Sequence, residues 1–400
     1  MGSIPPPKSE RKPLHQAIPP LILGTATFNS QYVSDPFNPE ILPALSIVSR
    51  TLELGINAFD TSPYYGPSET ILGDALAHPV NAKYPRSSYF LVTKAGRIGG
   101  NEFDYSPSWV RYSVYRSLER LHTTYLDLVY MHDVEFMSPA EVLGAVGELR
   151  RLRDEGVIRY VGISGYPVSK LCDLAELVQA ESGESLDAVL SYSHFTIQNT
   201  TLSTSAVKRF TAAGVDVVLN ASMLGMGLLT TRGADAGPTA AWHPSPGELR
   251  GKVKQLVSVA KEADEKLEVV SIRWALDNWS RDGASLGGTS SRLPEGTRVG
   301  VSVMGVASVP ELEETERVFH SVVEGLNIKP SSPEVAEAHA WSLQRRKKIQ
   351  GLVEKMWAVL GEWKDYSWDS PEPGFVNTRR TEDFGIVPDD GVMARHQGSK

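Results

Sequence analysis

"YLDLVYMHDVEFMSPAEVLGAVGELRRLRDEGVIRYVGISG", residues 125–165, decides the fold. It opens on an apolar run, "YLDLVYMHD", that ends in polar groups. "PAEVLGAVGELRRLRDEG" follows, with apolar residues every three or four positions, the spacing of one buried helix face. Gly156 closes it as a helix C-cap would, and a second apolar run, "IRYVGISG", begins at Ile158. The unit is strand, helix, strand. The same alternation continues to both sides, with further runs "PLILGTATF" from Pro20, "NAFDTS" from Asn57, "SYFLVTKAG" from Ser88, "DAVLSYSH" from Asp187, "GVDVVLNAS" from Gly214 and "RVGVSVMGVAS" from Arg298, eight in all. Gly55 and Gly214 occupy the same helix-ending position as Gly156. Near-continuous Val/Ile/Leu strands alternating with amphipathic helices imply a parallel sheet covered on both faces. The expected fold is α/β: a closed (β/α)8 (TIM) barrel with long loops at the C-terminal face and a helical C-terminal extension. An open doubly wound sheet would need a G-x-G-x-x-G loop after its first strand, and "GTATFNSQ" does not supply one.

The chain has 400 residues, 41% of them hydrophobic, enough for a large core. The formal net charge of −8 with dispersed basic residues argues against nucleic acid as a partner. A single cysteine, Cys172, excludes an intrachain disulfide, fits a reducing compartment, and lies at helical spacing among apolar neighbours, as a core thiol does. The start, "MGSIPPPKSERKPLHQAIPP", has neither the apolar core of a signal peptide nor a myristoylation pattern, and no run is long enough to span a membrane. A cytoplasmic protein, monomeric or weakly homodimeric, is expected. Residues 1–19 read as a flexible lead, 20–365 as the barrel with its extension, and 366–400 as a loose polar tail. Two interruptions read as a long mobile loop, "GLLTTRGADAGPTAAWHPSPGE" (227–248), and a disordered insertion, "RDGASLGGTSSRLPEGT" (281–297).

Active sites of such barrels lie at the C-terminal strand ends. The second run ends in Asp60, the third in Lys94 and the fourth in His132: ionisable groups on consecutive strands, expected at the same height. "NAFDTSPYYGPSETILGDAL" (57–76) adds the phenols of Tyr64 and Tyr65 just beyond Asp60. A phenol serves as general acid if its pKa, normally about 10, is lowered. A nearby ammonium is expected to lower it, with a carboxylate holding the ammonium in place, while a histidine orients a carbonyl or hydroxyl oxygen. This is chemistry for moving a proton to or from an oxygen while a hydride moves to or from its carbon.

"INAFDTSPYYGPSETILGDAL" resembles the signature of the aldo-keto reductase family, in which Tyr-Gly follows the Asp at a spacing that selects Tyr65 over Tyr64. "LVTKAG" and "DLVYMHD" resemble the family's lysine and histidine segments. The similarity runs from about Pro20 to near residue 320. It is greatest to the aldose-oxidising branch, the D-arabinose and L-galactose dehydrogenases, on "VLSYSHFTIQNTTL" and "ASMLGMGLL". The resemblance implies an oxidoreductase with Asp60, Tyr65, Lys94 and His132 as catalytic residues and a nicotinamide dinucleotide bound without a Rossmann loop. It puts Thr25 and Ala26 at the ribose and nicotinamide side and Ser164, Gly165 and Ser191 near the carboxamide. Gly165 stands where Asn is common, which costs one amide contact. Ala221 stands where many relatives place an aromatic that stacks on nicotinamide. Ser222, Met223, Leu224, Gly225, Met226 and Arg232 are assigned to the pyrophosphate. Gly305, Ser308, Glu311, Glu314 and Thr315 are assigned to the adenosine end, where family members that take the 2′-phosphate often carry basic residues. Glu311 would repel that phosphate but accept from a ribose hydroxyl, so NAD is expected, with NADP as the alternative.

The substrate pocket is expected from variable loops, with Phe28, Tyr32, Arg97 and Trp109 joining Tyr65 and His132 around a small molecule, a sugar oxidised at C1 to its lactone. Three other readings compete: an NADPH-dependent reductase of aldehydes or ketones, a non-catalytic cofactor-binding subunit like those of potassium channels, and a metal-dependent barrel hydrolase. The last would want His-x-His at the first strand end or clustered acids. "GTATF" offers neither, so no metal is expected.

Overall fold

The computed structural model describes residues 11–326 and 332–397. Its strands are β1 (Leu21–Gly24), β2 (Ala58–Asp60), β3 (Phe90–Ala95), β4 (Leu126–His132), β5 (Ile158–Gly165), β6 (Ala188–Tyr192), β7 (Val217–Ala221), β8 (Gly288–Thr289), β9 (Arg298–Val299) and β10 (Val301–Gly305). Eight of them close a parallel barrel in the order β1-β10-β7-β6-β5-β4-β3-β2. Every apolar run read from the sequence supplies one barrel strand. Helices cross between them, and Gly156 ends Pro139–Asp154 with φ +80°, a conformation that L side chains rarely adopt.

Side chains alternate along a strand with period two, so each strand feeds two cores. Ile22, Ala58, Phe90, Val92, Leu128, Tyr130, Leu190, Leu219 and Val303 fill the barrel interior. Leu23, Phe59, Leu91, Val129, Ile163, Val189 and Val218 pack outward against the helices. One step beyond the interior layer the same inward rows end in Gly24, Asp60, Lys94, His132, Ser164, Tyr192, Ala221 and Gly305, and all of these line one cavity. They are stepped rather than level at four of the eight seams: Asp60 pairs with Val92 and Lys94 with Tyr130, for example, so these row ends rise by two residues from β2 to β3 and from β3 to β4, whereas His132 is level with Ser164. That stagger is the shear a closed barrel requires.

Four segments expected to be loose are held. In the lead before residue 20, Leu14 and Ile18 are buried in the bottom of the barrel interior. Residues 1–10 lie outside the described residues. Within 281–297, β8 pairs antiparallel with β9 beside this plug. The loop at 227–248 is pinned by Trp242 Nε1, which donates to Gln31 O at 3.0 Å, and by a 2.8 Å bond between His243 Nε2 and Gly225 O. The polar tail folds back over the barrel mouth. Phe375 packs on Phe103 and Phe136, Asn377 bonds the Phe103 backbone twice, and Arg379 pairs with buried Asp104 at 2.9 Å. Each polar residue meets a specific buried partner, which composition cannot reveal. The extension is the helix Pro333–Leu360, packed by Ile349, Leu352, Val353 and Met356. Among the described residues no helix is long and apolar enough to cross a membrane.

Candidate active site

Lys94 ends the inward row Phe90–Val92–Lys94 and is 2% exposed. Its ammonium donates to Asp60 Oδ1 at 2.5 Å and to Thr61 O at 2.9 Å. A buried ion pair stands only when each charge is matched and hydrogen-bonded. Burial pushes the Asp60 carboxyl above its ordinary range, and Lys94 opposes that. Asp60 Oδ2 is left without a partner. Lys94 Nζ also lies 4.9 Å from the ring centroid of Tyr65, which faces His132 edge-on at 5.6 Å. Tyr64 lines the cavity too, but its ring is covered by the Arg97 guanidinium at 3.9 Å. Lys94 is thus against Tyr65, the phenol the spacing selects.

The phenol behaves differently from the expectation. Burial raises the Tyr65 pKa well above its ordinary value, Asp60 and Asp133 raise it further, and Arg97 opposes them. Lys94 does not offset this, because its ammonium spends its short hydrogen bonds on Asp60 and Thr61. Tyr65 therefore holds its proton, as a proton donor should. His132 is neutral. Burial drives its pKa down to about 3, and the Asp133 carboxylate only partly offsets this. Ser62 Oγ accepts from Tyr64 N at 3.1 Å and lies 3.0 Å from His132 Nδ1. The hydroxyl proton is free to point at Nδ1, which leaves Nε2 as the N–H that faces the cavity. The site offers two neutral donors, Tyr65 and His132, above a buried ion pair.

The cavity, of ≈ 1650 Å3, extends from these residues to the helix Val309–Glu324. Of the residues assigned to a cofactor, Ala26, Ser164, Ser222, Met223, Leu224, Met226, Arg232, Gly305, Glu311, Glu314 and Thr315 line it. Gly225 lies within the same turn, whose residues Ser222, Gly225, Met226 and Gly227 all have positive φ. Left-handed residues among right-handed ones form concave nests of backbone N–H that suit an anion. Ser308 caps the helix by accepting from Glu311 N at 3.4 Å. The donor set fits a nicotinamide dinucleotide, which when bound supplies the carbon that gives or takes the hydride.

Three assignments fail on strand parity or packing. Ser191 points outward with Val189, and Tyr192 is the residue of β6 that reaches the cavity. Gly165 also faces outward. A Cβ there would lie 2.3 Å from Glu135 Oε2, so the buried Glu135 carboxyl fills the space a larger side chain would need. Thr25 is fully buried, bonding Asp60 O at 3.1 Å. On the substrate side Tyr32 and Arg97 line the cavity, but Phe28 is core, and Trp109 lies under the tail with the Arg379 guanidinium 4.3 Å from its ring. The sequence reading missed Asp133, Tyr192, Trp242, Trp368, Asp369, Glu372 and Phe375, all of which line the cavity. Parity along β6 could have found Tyr192.

A closed parallel barrel with an acid, lysine, tyrosine and histidine gathered at one mouth defines a class of nicotinamide-dependent oxidoreductases. The profile of the Aldo/keto reductase family matches residues 20–324, and the chain belongs to that family. Two relatives carry specific names. D-arabinose 1-dehydrogenase of Saccharomyces cerevisiae is 44% identical over 277 residues, covering 69% of this chain and 80% of that one. L-galactose dehydrogenase of Arabidopsis thaliana is 35% identical over 274 residues, covering 68% of this chain and 79% of that one.

Tyr65→Phe should fold and lose on the order of 10²–10⁴-fold in kcat, the usual contribution of general acid–base catalysis. Tyr64→Phe should stay within about tenfold of wild type. Steady-state rates of both variants check this, and a reversed ranking would move the proton-transfer role to Tyr64. His132 should also leave a mark on stability. Its folded pKa of about 3 lies below the ordinary 6.5. As pH falls through the ordinary value, the unfolded chain binds a proton that the native state refuses, so stability is lost. In denaturant titrations from pH 7.5 to 5, His132→Gln should lose less stability than wild type. An equal loss in both would contradict a neutral buried ring.

Proposed function

We propose that this enzyme oxidises a neutral aldose at C1, producing the lactone and reduced NAD. The observation that carries the reading is the tetrad Asp60, Tyr65, Lys94 and His132 at the mouth of a cavity walled by carboxylates and aromatic rings. The substrate end carries Asp133, Asp369 and Glu372 with Tyr32, Trp242, Trp368 and Phe375. Carboxylates accept sugar hydroxyls, rings pack on the C–H face of a sugar, and the negative field disfavours phosphorylated or acidic sugars. Arg97 is not a free anchor for an anion. Its guanidinium pairs with Asp133 and donates to Gly100 O at 2.9 Å and Gly99 O at 3.3 Å. Both named relatives act, by their names, on aldoses.

In the cyclic sugar, the C1–H pair leaves as hydride and the O1–H proton passes to the deprotonated Tyr65 oxygen. The C1–O1 bond becomes a carbonyl, and His132 Nε2–H steadies the oxygen. Because burial favours the protonated phenol, oxidation should accelerate as pH rises above neutral and more of the phenol ionises.

NAD is favoured by Glu311. It sits in the first turn of Val309–Glu324 on the cavity wall, where its Oε2 accepts from Ala307 N at 2.8 Å. The other oxygen remains for a ribose hydroxyl, and a 2′-phosphate would meet a like charge. A panel of pentoses and hexoses with NAD and NADP, followed at the absorbance of the reduced nicotinamide, tests both parts. Wild type should favour NAD in kcat/KM by about one to two orders of magnitude, a modest factor because the site is exposed and screened. Glu311→Arg should reverse part of that preference. A wild type that prefers NADP and reduces simple aldehydes faster than it oxidises any sugar would replace this reading with carbonyl reduction.

A further inference from the structure

Asp133 follows His132 at the end of β4 and is a buried acid of the cavity wall whose position the tetrad does not explain. It has φ +57°, the left-handed region that a non-glycine residue enters at a cost. The carboxylate is 2% exposed and lines the cavity. Its Oδ2 is the partner of Arg97 Nη1 and lies 3.6 Å from His132 Nε2. Its Oδ1 is buried without any hydrogen-bond partner among the described residues. Burial pushes the carboxyl pKa up, but the Arg97 guanidinium beside it opposes this, and the group is held below its ordinary value. A buried carboxylate oxygen with no donor is costly. Strain in the backbone and an orphaned acceptor at one residue of a cavity wall are the marks of a group kept for a ligand.

The ligand's chemistry follows from position. His132 Nε2 faces the oxygen on the reacting carbon, and Asp133 is its immediate neighbour. A group that satisfies Oδ1 must be a donor carried next to the reacting carbon. The Arg97 charge is already matched by Asp133, so the donor needs no charge of its own. Resting on the sugar-oxidation reading above, we propose that Asp133 Oδ1 accepts a hydrogen bond from the substrate's hydroxyl on the carbon adjacent to the reacting one, and so restricts the enzyme to α-hydroxylated, uncharged substrates. A site built to bond a hydroxyl rejects the analogue lacking it strongly, because its own polar group is then left unpaired.

The test compares kcat/KM for the best aldose of the panel and for its 2-deoxy counterpart, in wild type and in Asp133→Asn. Asn keeps the size of the side chain while removing the charge, and thermal melting and cofactor binding report whether the variant is intact. Wild type should lose about 10²–10⁴-fold on the deoxy sugar. In Asp133→Asn the parent sugar should slow while the deoxy sugar changes by less than about tenfold, so that the discrimination shrinks. Wild type alone is decisive should the variant not fold: equal rates on the two sugars would overturn the role of Asp133 and leave sugar oxidation standing. An intact variant that slows both sugars equally would also overturn it, because Asp133 would then act only by positioning His132. A protein that oxidises no aldose with either nicotinamide would instead sink the functional reading on which this one rests.

Discussion

In a closed parallel barrel every second residue of every strand must face the axis, and the site of this protein is what that constraint leaves at the mouth. Phe90 and Val92 pack the interior, so Lys94 has to point into the cavity. Leu128 and Tyr130 pack it from β4, so His132 does the same. The apolar residues below are therefore the support of Asp60, Lys94 and His132, holding them on strands rather than loops. The register adds a second constraint. Because the inward rows of β2, β3 and β4 are staggered by two residues at each step, the Lys94 ammonium meets Asp60 from above and leaves the ring of His132 higher still, facing Tyr65.

Burial then sets the charge states. Lys94 and Asp60 are nearly inaccessible and tolerate this only as a pair. With the ammonium bonded to Asp60, the phenol of Tyr65 keeps its proton and the imidazole of His132 stays neutral. A site of matched ion pairs and two neutral donors suits a hydride transfer, in which the charge that develops on oxygen is met by preorganised N–H and O–H groups. The expectation that Lys94 lowers the phenol pKa had the ammonium held by a carboxylate but left burial out. In the structure the ammonium is committed, and desolvation dominates.

The barrel and the tetrad were legible because both are written in spacing. Apolar runs separated by helical patterns give the strands, and the strand ends give Asp60, Lys94 and His132. What was lost has two physical causes. Strand parity was not followed to the last residue, so Ser191 stood in for Tyr192 and Gly165 for a wall that Glu135 fills from behind. Segments were also judged by composition. The tail carries Asn377 and Arg379, polar residues that read as solvated, yet each meets a buried partner on the loop before Pro107–Arg120. Leu14 and Ile18 sit in a proline-rich lead, and only the open bottom of the barrel explains why they are ordered. Asp133 carries no signal in sequence beyond its adjacency to His132. Its importance rests on a backbone angle and an unpaired oxygen.

The central claim, hydride transfer from C1 of a sugar inside this ring of residues, is tested most directly with an aldose carrying deuterium at C1 and the oxidised cofactor. The account predicts reduced nicotinamide with deuterium on its ring, released together with the lactone, and a rate slowed by the heavier isotope. Reduced cofactor that carries only protium, or no cofactor reduction with any aldose, would contradict it.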